Sequence, residues 1–340
     1  MAPVVKALKA ESSIEHAVCV TAQHRDMLDQ VLSLFDINPK FDLDIMAENQ
    51  GLMHITTAAL SGLEKVLNEY QPDRVLVHGD TTTSFVAALA AFYQKIPVGH
   101  VEAGLRTGDI YAPWPEEMNR RLTDTICDLH FAPTKSAEQN LLKCGASKSG
   151  IIVTGNTVID ALLQVCDRLD RDTAINDQAA SNLPALDKAK KLILVTGHRR
   201  ENFGESLEQI CAALRQLAEK YLNVLIFYPV HLNPNVQEPV YRLLGNIPNI
   251  TLMPPLDYLP LVHLLKRATL VLTDSGGLQE EAPGLGIPVL VMREVTERPE
   301  GVEAGTVRLV GTDAQRILDE ASRLVDDPAA HEAMSRAANP

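Results

Sequence analysis

Three carboxylates of this sequence follow apolar, strand-like runs or open a helix-like stretch, at positions where they could move protons. Asp80 comes directly after "VLVHG", and Glu102 comes directly after "VGHV". A long loop rich in glycine and proline then leads to Glu116, at the start of "EEMNRR". Ligands of open α/β sheets bind beyond the carboxyl ends of the strands. Carboxylates at such an edge are suited to general acid and base catalysis.

Two of these acids, Asp80 and Glu116, also have a structural explanation. Asp80 or the threonine after it could cap a helix, because a short side-chain oxygen there accepts a backbone N–H. Pro115, Glu116 and Glu117 match the first turn of a helix, where proline fits and acids are favoured. A cap accounts for one acid of this second segment but not for Glu102 as well, so both interpretations stay open.

Cations near two later strand-like runs indicate a different kind of ligand. His198 follows "LVTG" and stands beside Arg199 and Arg200. Guanidinium groups and helix N-termini both favour phosphate, so this run is a candidate anion site. His231 lies in "FYPVHLNPNV", where prolines on both sides favour a simple turn.

The segment "LTDSGGLQEEAPGLGIPVLVM" predicts a strand, a Ser-Gly-Gly turn, a helix and another strand. Gly276 and Gly277, after Ser275, allow backbone amides to approach a diphosphate. Glu281 lies about one helical turn further on, where its carboxylate can accept from both hydroxyls of a ribose. Arg298 in "TERPEG" adds a positive charge. This combination predicts half of a nucleotide-sugar site.

The elements that position these side chains are short apolar runs that alternate with amphipathic helical stretches. Nearly continuous apolar character is typical of strands buried on both faces, and alternation with helices predicts parallel sheets. Predicted helices include 51–70 and an opening helix over the first residues. The predicted strands are 16–22, 74–79, 96–104, 128–133 and 150–155, then 191–197, 223–230, 249–253, 270–275 and 287–292.

A charged, alanine-rich stretch at 167–191 separates the two series of strands. Because 340 residues are typical of two domains, we predict an α/β protein with Rossmann-like domains at 1–165 and 166–340. A domain of this class normally begins with a strand and a Gly-rich turn, whereas this chain opens on a helical pattern. We therefore expect the first strand of the N-terminal domain to be missing.

Composition excludes several classes of function. The formal net charge of −13 argues against nucleic acid, whose phosphates are bound by Lys and Arg. Five cysteines without a C-x-x-C pair are typical of reduced thiols in a cytoplasmic protein. No apolar run approaches the ~20 residues of a membrane helix, and the first residues lack a signal-peptide pattern. Dinucleotide, P-loop and metal-ligand motifs are absent, so we expect no cofactor and no metal.

Segments spread along nearly the whole chain together resemble the bacterial non-hydrolysing UDP-N-acetylglucosamine 2-epimerases. They are "VTAQHRDMLDQVL", "VHGDTTTS", "GHVEAGLRTGDIYAPWPEEMNRR", "VTGNTVIDAL", "VTGHRRENFG", "YPVHLNPNV", "TDSGGLQEEAPGLGIPVLVMR" and "TERPE". The resemblance implies the GT-B arrangement of two Rossmann-like domains, with the substrate in the interdomain cleft. It also implies a homodimer.

The implied reaction inverts C2 of UDP-N-acetylglucosamine and gives the mannosamine epimer. The C2 proton is not next to a carbonyl, so elimination of UDP to a 2-acetamidoglucal, followed by re-addition, is the route that the family is thought to use. This route needs acid/base groups that serve both faces of C2, and cations or dipoles for the departing diphosphate.

Residue roles carry over by position. The family pattern implies acid/base catalysis by Asp80, Glu102 and Glu116, with His198 at the diphosphate. The residues implied to bind the rest of the substrate are Ser275, Gly276, Gly277, Glu281, Arg298, Leu256 and Leu261. Family chains tend to carry Gln and Phe at the last two positions. A second molecule of UDP-N-acetylglucosamine, as allosteric activator, would contact Gln23, Arg25, Arg199 and His231.

The chain departs from the family pattern at both ends. Family chains begin with a strand and a Gly-Thr-Arg-Pro-Glu turn, and they end with a glycine-rich turn and a final helix; neither is in this sequence. The alternatives that stay open are a GT-B glycosyltransferase, a hydrolysing epimerase and an inactive, truncated remnant that binds nucleotide sugar.

Overall fold

The computed structural model of the chain describes residues 1–23, 25–47, 50–184, 186–187, 189–296 and 298–337, without the side chains of Asp26, Met27 and Arg200. The chain divides into two compact units, Met1–Ala161 and Leu162–Pro340. The division falls within the helix Thr157–Arg171, slightly before the boundary expected after residue 165. The polar stretch 167–191 therefore belongs to the second unit, where it includes the helix Thr173–Ala180.

Helices and strands alternate along the first unit. In chain order they are α1 (Ala2–Ala10), β1 (Cys19–Val20), α2 (Arg25–Leu34), β2 (Phe41–Asp42), α3 (Leu52–Tyr70), β3 (Val75–His78), α4 (Thr82–Tyr93), β4 (Val98–Val101), α5 (Glu116–Ile126), β5 (Leu129–Ala132), α6 (Lys135–Lys143) and β6 (Ile151–Val153). A four-stranded parallel sheet has the order β3-β4-β5-β6, and β1 pairs in parallel with β2. The carboxyl ends of β3 and β4 thus lie side by side.

Apolar side chains fix this sheet against its helices. Val77 of β3 and Val98 of β4 are buried in one cluster with Val86 of α4 and Leu63 of α3. Burying one such side chain fully contributes about 1.5–3 kcal/mol. The strand ends are therefore held by a well-packed core, and the residues that follow each strand are placed by it.

The second unit continues the alternation on a larger sheet. Its elements are α7 (Thr157–Arg171), which spans the division, α8 (Thr173–Ala180), β7 (Lys191–Thr196), α9 (Glu205–Lys220), β8 (Val224–Pro229), α10 (Pro234–Leu244), β9 (Ile250–Met253), α11 (Tyr258–Leu265), β10 (Leu270–Thr273), α12 (Leu278–Gly284), β11 (Val289–Val291), α13 (Pro299–Ala304), β12 (Val307–Leu309), α14 (Ala314–Asp326) and α15 (Pro328–Ser335).

The six strands of this unit form a parallel sheet in the order β9-β8-β7-β10-β11-β12. This is the doubly wound order of a Rossmann fold, in which successive strands are added first on one side of β7 and then on the other. The order reverses between β7 and β10. Ligands of such sheets bind beyond the carboxyl ends of the strands at this switch point.

The strand predictions are confirmed in position and corrected in extent. Every predicted run contains a strand, but most strands are shorter than the run, and β2 and β12 were not predicted. Leu192–Val195 of β7 are consecutively buried, as expected for a strand covered on both faces. None of the helices in the described part of the chain combines the length and apolar character that a membrane crossing needs.

Candidate active site

Asp80 and Glu102 lie at the same edge of the first-unit sheet. β3 and β4 pair in parallel, with His78 opposite Val101, so the chain leaves both strands on one side. Glu102 follows β4 directly, and Asp80 follows β3 after a single glycine. The structure therefore brings together two acids that are separated in the sequence.

Glu102 is held in an uncommon backbone conformation at the end of β4. Its φ of 65° lies in the left-handed region, where a non-glycine residue is strained. Its Oε2 accepts a hydrogen bond of 3.0 Å from Nδ2 of Asn156 and lies 4.0 Å from Nε2 of His78. Burial lowers the pKa of His78 to about 3, so this imidazole is neutral beside Glu102. Asn156, on the loop after β6, thus aims the Glu102 carboxylate.

Asp80 is free of the capping role that the sequence left open. The side chain of Thr81 caps α4, because it accepts from the backbone N–H of Ser84. The Asp80 carboxylate instead forms an ion pair with Arg120, and the Asp80 carbonyl accepts a bond of 3.0 Å from Nδ2 of Asn119. Two residues of α5 therefore hold both the side chain and the backbone of Asp80 in place.

The two acids that open α5 have different surroundings. Glu117 is fully buried, and its carboxylate accepts from the Thr107 N–H at 3.1 Å and from Nε of Arg121 at 3.0 Å. Its contacts make Glu117 a structural residue that holds the long loop before α5. Glu116 is half-buried and lies one turn before Arg120, the partner of Asp80. Glu116 thus lies one helical turn from the residue that pairs with Asp80.

A buried ion network lies beneath these acids. His100, fully buried in β4, contacts Asp124 at 2.6 Å through Nδ1 and the Gly79 carbonyl at 2.8 Å through Nε2. Both partners are oxygen acceptors, so the ring joins the Asp124 carboxylate to the Gly79 carbonyl. Burial opposes ionisation of Asp124, but His100 and Arg106 outweigh it and hold the Asp124 pKa below its usual range. The network ties the turn that carries Asp80 to the loop after Glu102.

In the second unit, His198 and Ser275 lie at the two sides of the switch point. His198 follows β7 and Ser275 follows β10, the neighbouring strands between which the order reverses. Asp274 joins the two loops: its Oδ2 accepts from the backbone N–H groups of His198 and Arg199, both at 2.9 Å. The side chain of Arg200 lies outside the described part of the chain. This place is the expected ligand position of a doubly wound sheet.

The glycine turn leads to a buried carboxylate. Gly277 directly precedes α12, and a Cβ there would lie 3.5 Å from Oε2 of Glu281. The hydroxyl of Tyr258 donates to Oε1 of Glu281 at 2.9 Å. Burial raises the pKa of Glu281 above its usual range. One carboxylate oxygen is therefore fixed by Tyr258, and the other faces the Ser-Gly-Gly turn.

Arg298 precedes α13 and contacts α12. Its Nε lies 2.5 Å from Oε1 of Glu280, and its backbone N–H donates to Oγ1 of Thr296 at 3.1 Å. Thr296 in turn donates to the side chain of Gln279 at 2.6 Å. Part of the Arg298 charge is therefore matched within the protein, next to the helix that carries Glu281.

The two leucines predicted to border a nucleobase occupy different elements. Leu256 is half-buried in the loop before α11, as expected. Leu261 lies inside α11 and not in the loop, because the helix begins at Tyr258 after Asp257. Their apolar side chains could cover a flat ring, but they supply no hydrogen bond that would select a base.

The residues predicted for a second ligand molecule are divided between the units. Arg25 in α2 is tied to Asp42 at 2.6 Å and to Asp44 at 2.8 Å, so its charge is already matched. The side chain of Gln50 donates to the backbone carbonyl of Gln23 at 3.0 Å. In the second unit the His231 ring stacks on His198 with a centroid distance of 5.8 Å, and Arg199 lies beside it.

Within the described residues, no group of three or more His, Cys, Asp or Glu side chains is arranged to hold a metal ion. The two sets of polar residues are instead acids on the first-unit sheet, and a histidine with backbone amides and a buried carboxylate on the second. A sequence model of the UDP-N-acetylglucosamine 2-epimerase family matches residues 6–340. The chain belongs to this family.

Individual members of the family match the chain along its whole length. It is 59% identical to the UDP-N-acetylglucosamine 2-epimerase of Escherichia coli strain K12, with all of the chain and 90% of that protein covered. It is 53% identical to the Campylobacter jejuni enzyme of the same name, again with all of the chain and 90% of the relative covered. These similarities confirm the family that the motifs predicted.

Solved structures agree in fold. The UDP-GlcNAc 2-epimerase from Neisseria meningitidis, bound to UDP-GlcNAc, matches with a TM-score of 0.95 and 51% identity over all of this chain and 91% of that one. The Methanocaldococcus jannaschii enzyme, in complex with UDP-GlcNAc and UDP, matches with a TM-score of 0.82 and 32% identity over 98% of this chain and 94% of that one. A Rickettsia africae glycosyltransferase shares the fold alone, at 12% identity, 91% and 81% coverage and a TM-score of 0.55. The predicted α/β fold with parallel sheets is confirmed, and the glycosyltransferase alternative is not favoured.

Proposed function

We propose that this chain interconverts UDP-N-acetylglucosamine and UDP-N-acetylmannosamine by inverting C2 of the sugar. The observation that carries the proposal is the match to the epimerase family along the whole chain. The site adds chemical support, because the first unit supplies several acids at one edge of its sheet. The second unit supplies the groups suited to a nucleoside diphosphate.

The chemistry that fits these groups is elimination followed by re-addition. A base removes the C2 proton while the C1–oxygen bond to UDP breaks, which leaves a 2-acetamidoglucal. UDP then adds back to C1, and an acid returns a proton to the opposite face of C2. Asp80, Glu102 and Glu116 are the proposed acid/base groups, since a single acid would have to reach both faces. His198 stabilises the departing diphosphate.

We expect deuterium to enter C2 when the purified chain is incubated with UDP-N-acetylglucosamine in deuterated water. Each turnover exposes the C2 position to solvent-derived protons through the acids of the site. Proton NMR would show loss of the C2 signal together with appearance of the mannosamine epimer. Epimerisation with full retention of the C2 proton would contradict the elimination route.

Product analysis in the same tube separates the alternatives. A hydrolysing epimerase would accumulate free N-acetylmannosamine and UDP, whereas the proposed reaction reaches an equilibrium of two UDP-sugars. A transferase would release UDP only when an acceptor is added. Absence of both exchange and products would favour the inactive, nucleotide-sugar-binding remnant.

The second unit is proposed to hold UDP. Backbone amides of Ser275, Gly276 and Gly277 would meet the diphosphate at the switch point, with Arg298 adding charge near α12. Glu281 would accept from the ribose hydroxyls with the oxygen that Tyr258 leaves open. Leu256 and Leu261 would cover the uracil by apolar contact.

We expect Glu281→Gln to weaken UDP binding by roughly 10- to 100-fold, the range for one or two hydrogen bonds to a charged group. The amide keeps the size of the side chain but can accept from fewer hydroxyls and carries no charge. Calorimetry with UDP and with 2′-deoxy-UDP measures the effect, because the variant should discriminate less between them. Glu320→Gln, on α14, is the matched control. Unchanged discrimination by Glu281→Gln would place the ribose elsewhere.

Regulation and assembly are further parts of the proposal. A second molecule of UDP-N-acetylglucosamine would act as activator through Gln23, Arg25, Arg199 and His231. In the described structure Arg25 pairs with three aspartates, so its binding of an anion would require those ion pairs to open. Sigmoidal dependence of UDP binding on added UDP-N-acetylglucosamine tests the activator, and light scattering tests the homodimer.

A further inference from the structure

Asp274 is almost completely buried at the switch point, and its two oxygens have different partners. Its side chain is 1% exposed. Oδ2 accepts from the backbone of His198 and Arg199 and from Nδ2 of Asn202 at 3.2 Å. Oδ1 lies 3.2 Å from Nδ1 of His198. One oxygen therefore builds the loop, and the other faces the imidazole.

Three N–H donors meet one oxygen of the Asp274 carboxylate, so this oxygen is engaged in the loop and the other is left for His198. Rotating the group by half a turn would only exchange equivalent oxygens, so the pattern is stable for a carboxylate. Burial opposes ionisation, but the contacts with His198 and the loop N–H groups outweigh it and hold the Asp274 pKa below its usual range. Oδ1 has no aligned hydrogen bond in the described structure. Because an ionised Asp274 can only accept, its 3.2 Å contact with Nδ1 of His198 is favourable when that nitrogen carries a proton.

The ring stacked on His198 has its own hydrogen-bond partner and is neutral. His231, stacked on it, receives the backbone N–H of Asn233 on its Nδ1 at 3.1 Å, so that nitrogen holds a lone pair. Burial and the neighbouring His198 lower the His231 pKa, which keeps His231 neutral. Among the described side chains that line this corner, the other titratable or charged groups besides Asp274 are the Arg199 guanidinium and the buried hydroxyl of Tyr228.

We propose that Asp274 is a positioning residue that holds His198 by its Nδ1–H and so presents Nε2–H to the departing diphosphate. An aspartate on one imidazole nitrogen fixes the tautomer and orientation of the ring and stabilises its protonated form. The side chain of His198 is 40% exposed, so its free edge is accessible while the Nδ1 edge meets a buried partner. This inference rests on the proposed function, because it assigns His198 a diphosphate as ligand.

Asp274→Asn separates the two functions of the carboxylate. The three donors that meet Oδ2 require the amide oxygen at that position, since the NH₂ group would face donors there. The NH₂ group must then face Nδ1 of His198, which can only accept it as a neutral ring. The loop keeps its hydrogen bonds, while His198 loses its Nδ1 proton and becomes the neutral Nε2–H tautomer.

The test combines kinetics with nitrogen NMR of the histidine rings in the full chain, with His198→Asn used to assign the signal. We expect Asp274→Asn to lower kcat by about 10²-fold. We expect its UDP affinity to fall by about tenfold. The His198 signal should show loss of the Nδ1 proton, with Nε2 still protonated. Asp327→Asn, which keeps the cap of α15, is the matched control.

Three results would overturn the inference. The first is a kcat within about threefold of the unaltered chain, too small for a lost electrostatic contact. The second is lost activity with an unchanged His198 tautomer, which would make Asp274 a loop residue only. The third needs no variant of Asp274 and applies even if Asp274→Asn fails to fold: an unprotonated Nδ1 on His198 of the unaltered chain. Because the tautomer is read without turnover, absence of C2 exchange would refute the proposed function separately.

Discussion

Asparagine in place of Asp80 is expected to lower kcat for epimerisation by about 10²- to 10⁴-fold, the range that one acid or base group contributes. The amide cannot take up or release a proton at C2. It still fits the turn after β3, because its oxygen can accept from Arg120 and the backbone contact with Asn119 is unaffected. The loss should therefore appear in kcat, with KM changed little.

The measurement is turnover in both directions together with a thermal melt. Asp128→Asn is the matched control. Asp128 precedes β5, at the amino ends of the strands of the same sheet, and it pairs with Arg74 at 2.5 Å. That exposed pair is worth at most about 1 kcal/mol, so the control should fold and turn over normally. Turnover of Asp80→Asn within about threefold of the unaltered chain would remove Asp80 from the acid/base groups.

The strands could be predicted because a strand buried on both faces consists of consecutive apolar residues, as at Leu192–Val195. The sheet order could not, because it depends on pairing between distant strands such as β7 and β10. The switch point between His198 and Ser275 therefore became visible only in the structure. β2 was missed because two residues carry too little pattern, and β12 because its run is short and partly exposed.

The sequence could not separate Glu116 from Glu117. Both match the first turn of a helix, and neighbouring residues share the same local signals. Their difference comes from a distant loop, because Thr107 reaches the carboxylate of Glu117. Likewise Arg25 was matched to a ligand-binding pattern, whereas its ion pairs with Asp42 join α2 to β2.

Some residues that shape the site carried a signal that was too common to interpret. Asp274 stands between a strand and the Ser-Gly-Gly turn, a position equally suited to an ordinary turn residue. Asn156 lies in the matched segment "VTGNTVIDAL", but its contact with Glu102 spans three strands of the sheet order. Tyr258 and Glu281 are 23 residues apart in the sequence, and only the fold brings the start of α11 close enough to α12 for their hydrogen bond.

Glutamine in place of Glu102 is expected to lower kcat by about 10²- to 10⁴-fold while the chain stays folded. The amide oxygen can still accept from Asn156, and the backbone strain at φ 65° is unchanged because glutamine carries the same Cβ atom. What is lost is the capacity to exchange a proton with C2. UDP affinity should stay the same, since Glu102 lies in the first unit and not among the proposed UDP contacts.

Glu102→Gln and Asp80→Asn together can show which acid serves which face of C2. If two acids act on opposite faces, each variant should block C2 deuterium exchange from one epimer more strongly than from the other, with opposite preference. Glu138→Gln, on α6 of the same unit, is the matched control for the glutamate change. If Glu102→Gln exchanges both epimers at near-normal rates, Glu102 is not an acid/base group. If one variant blocks C2 exchange equally from both epimers, the altered acid serves both faces of C2. The other acid would then only position the substrate.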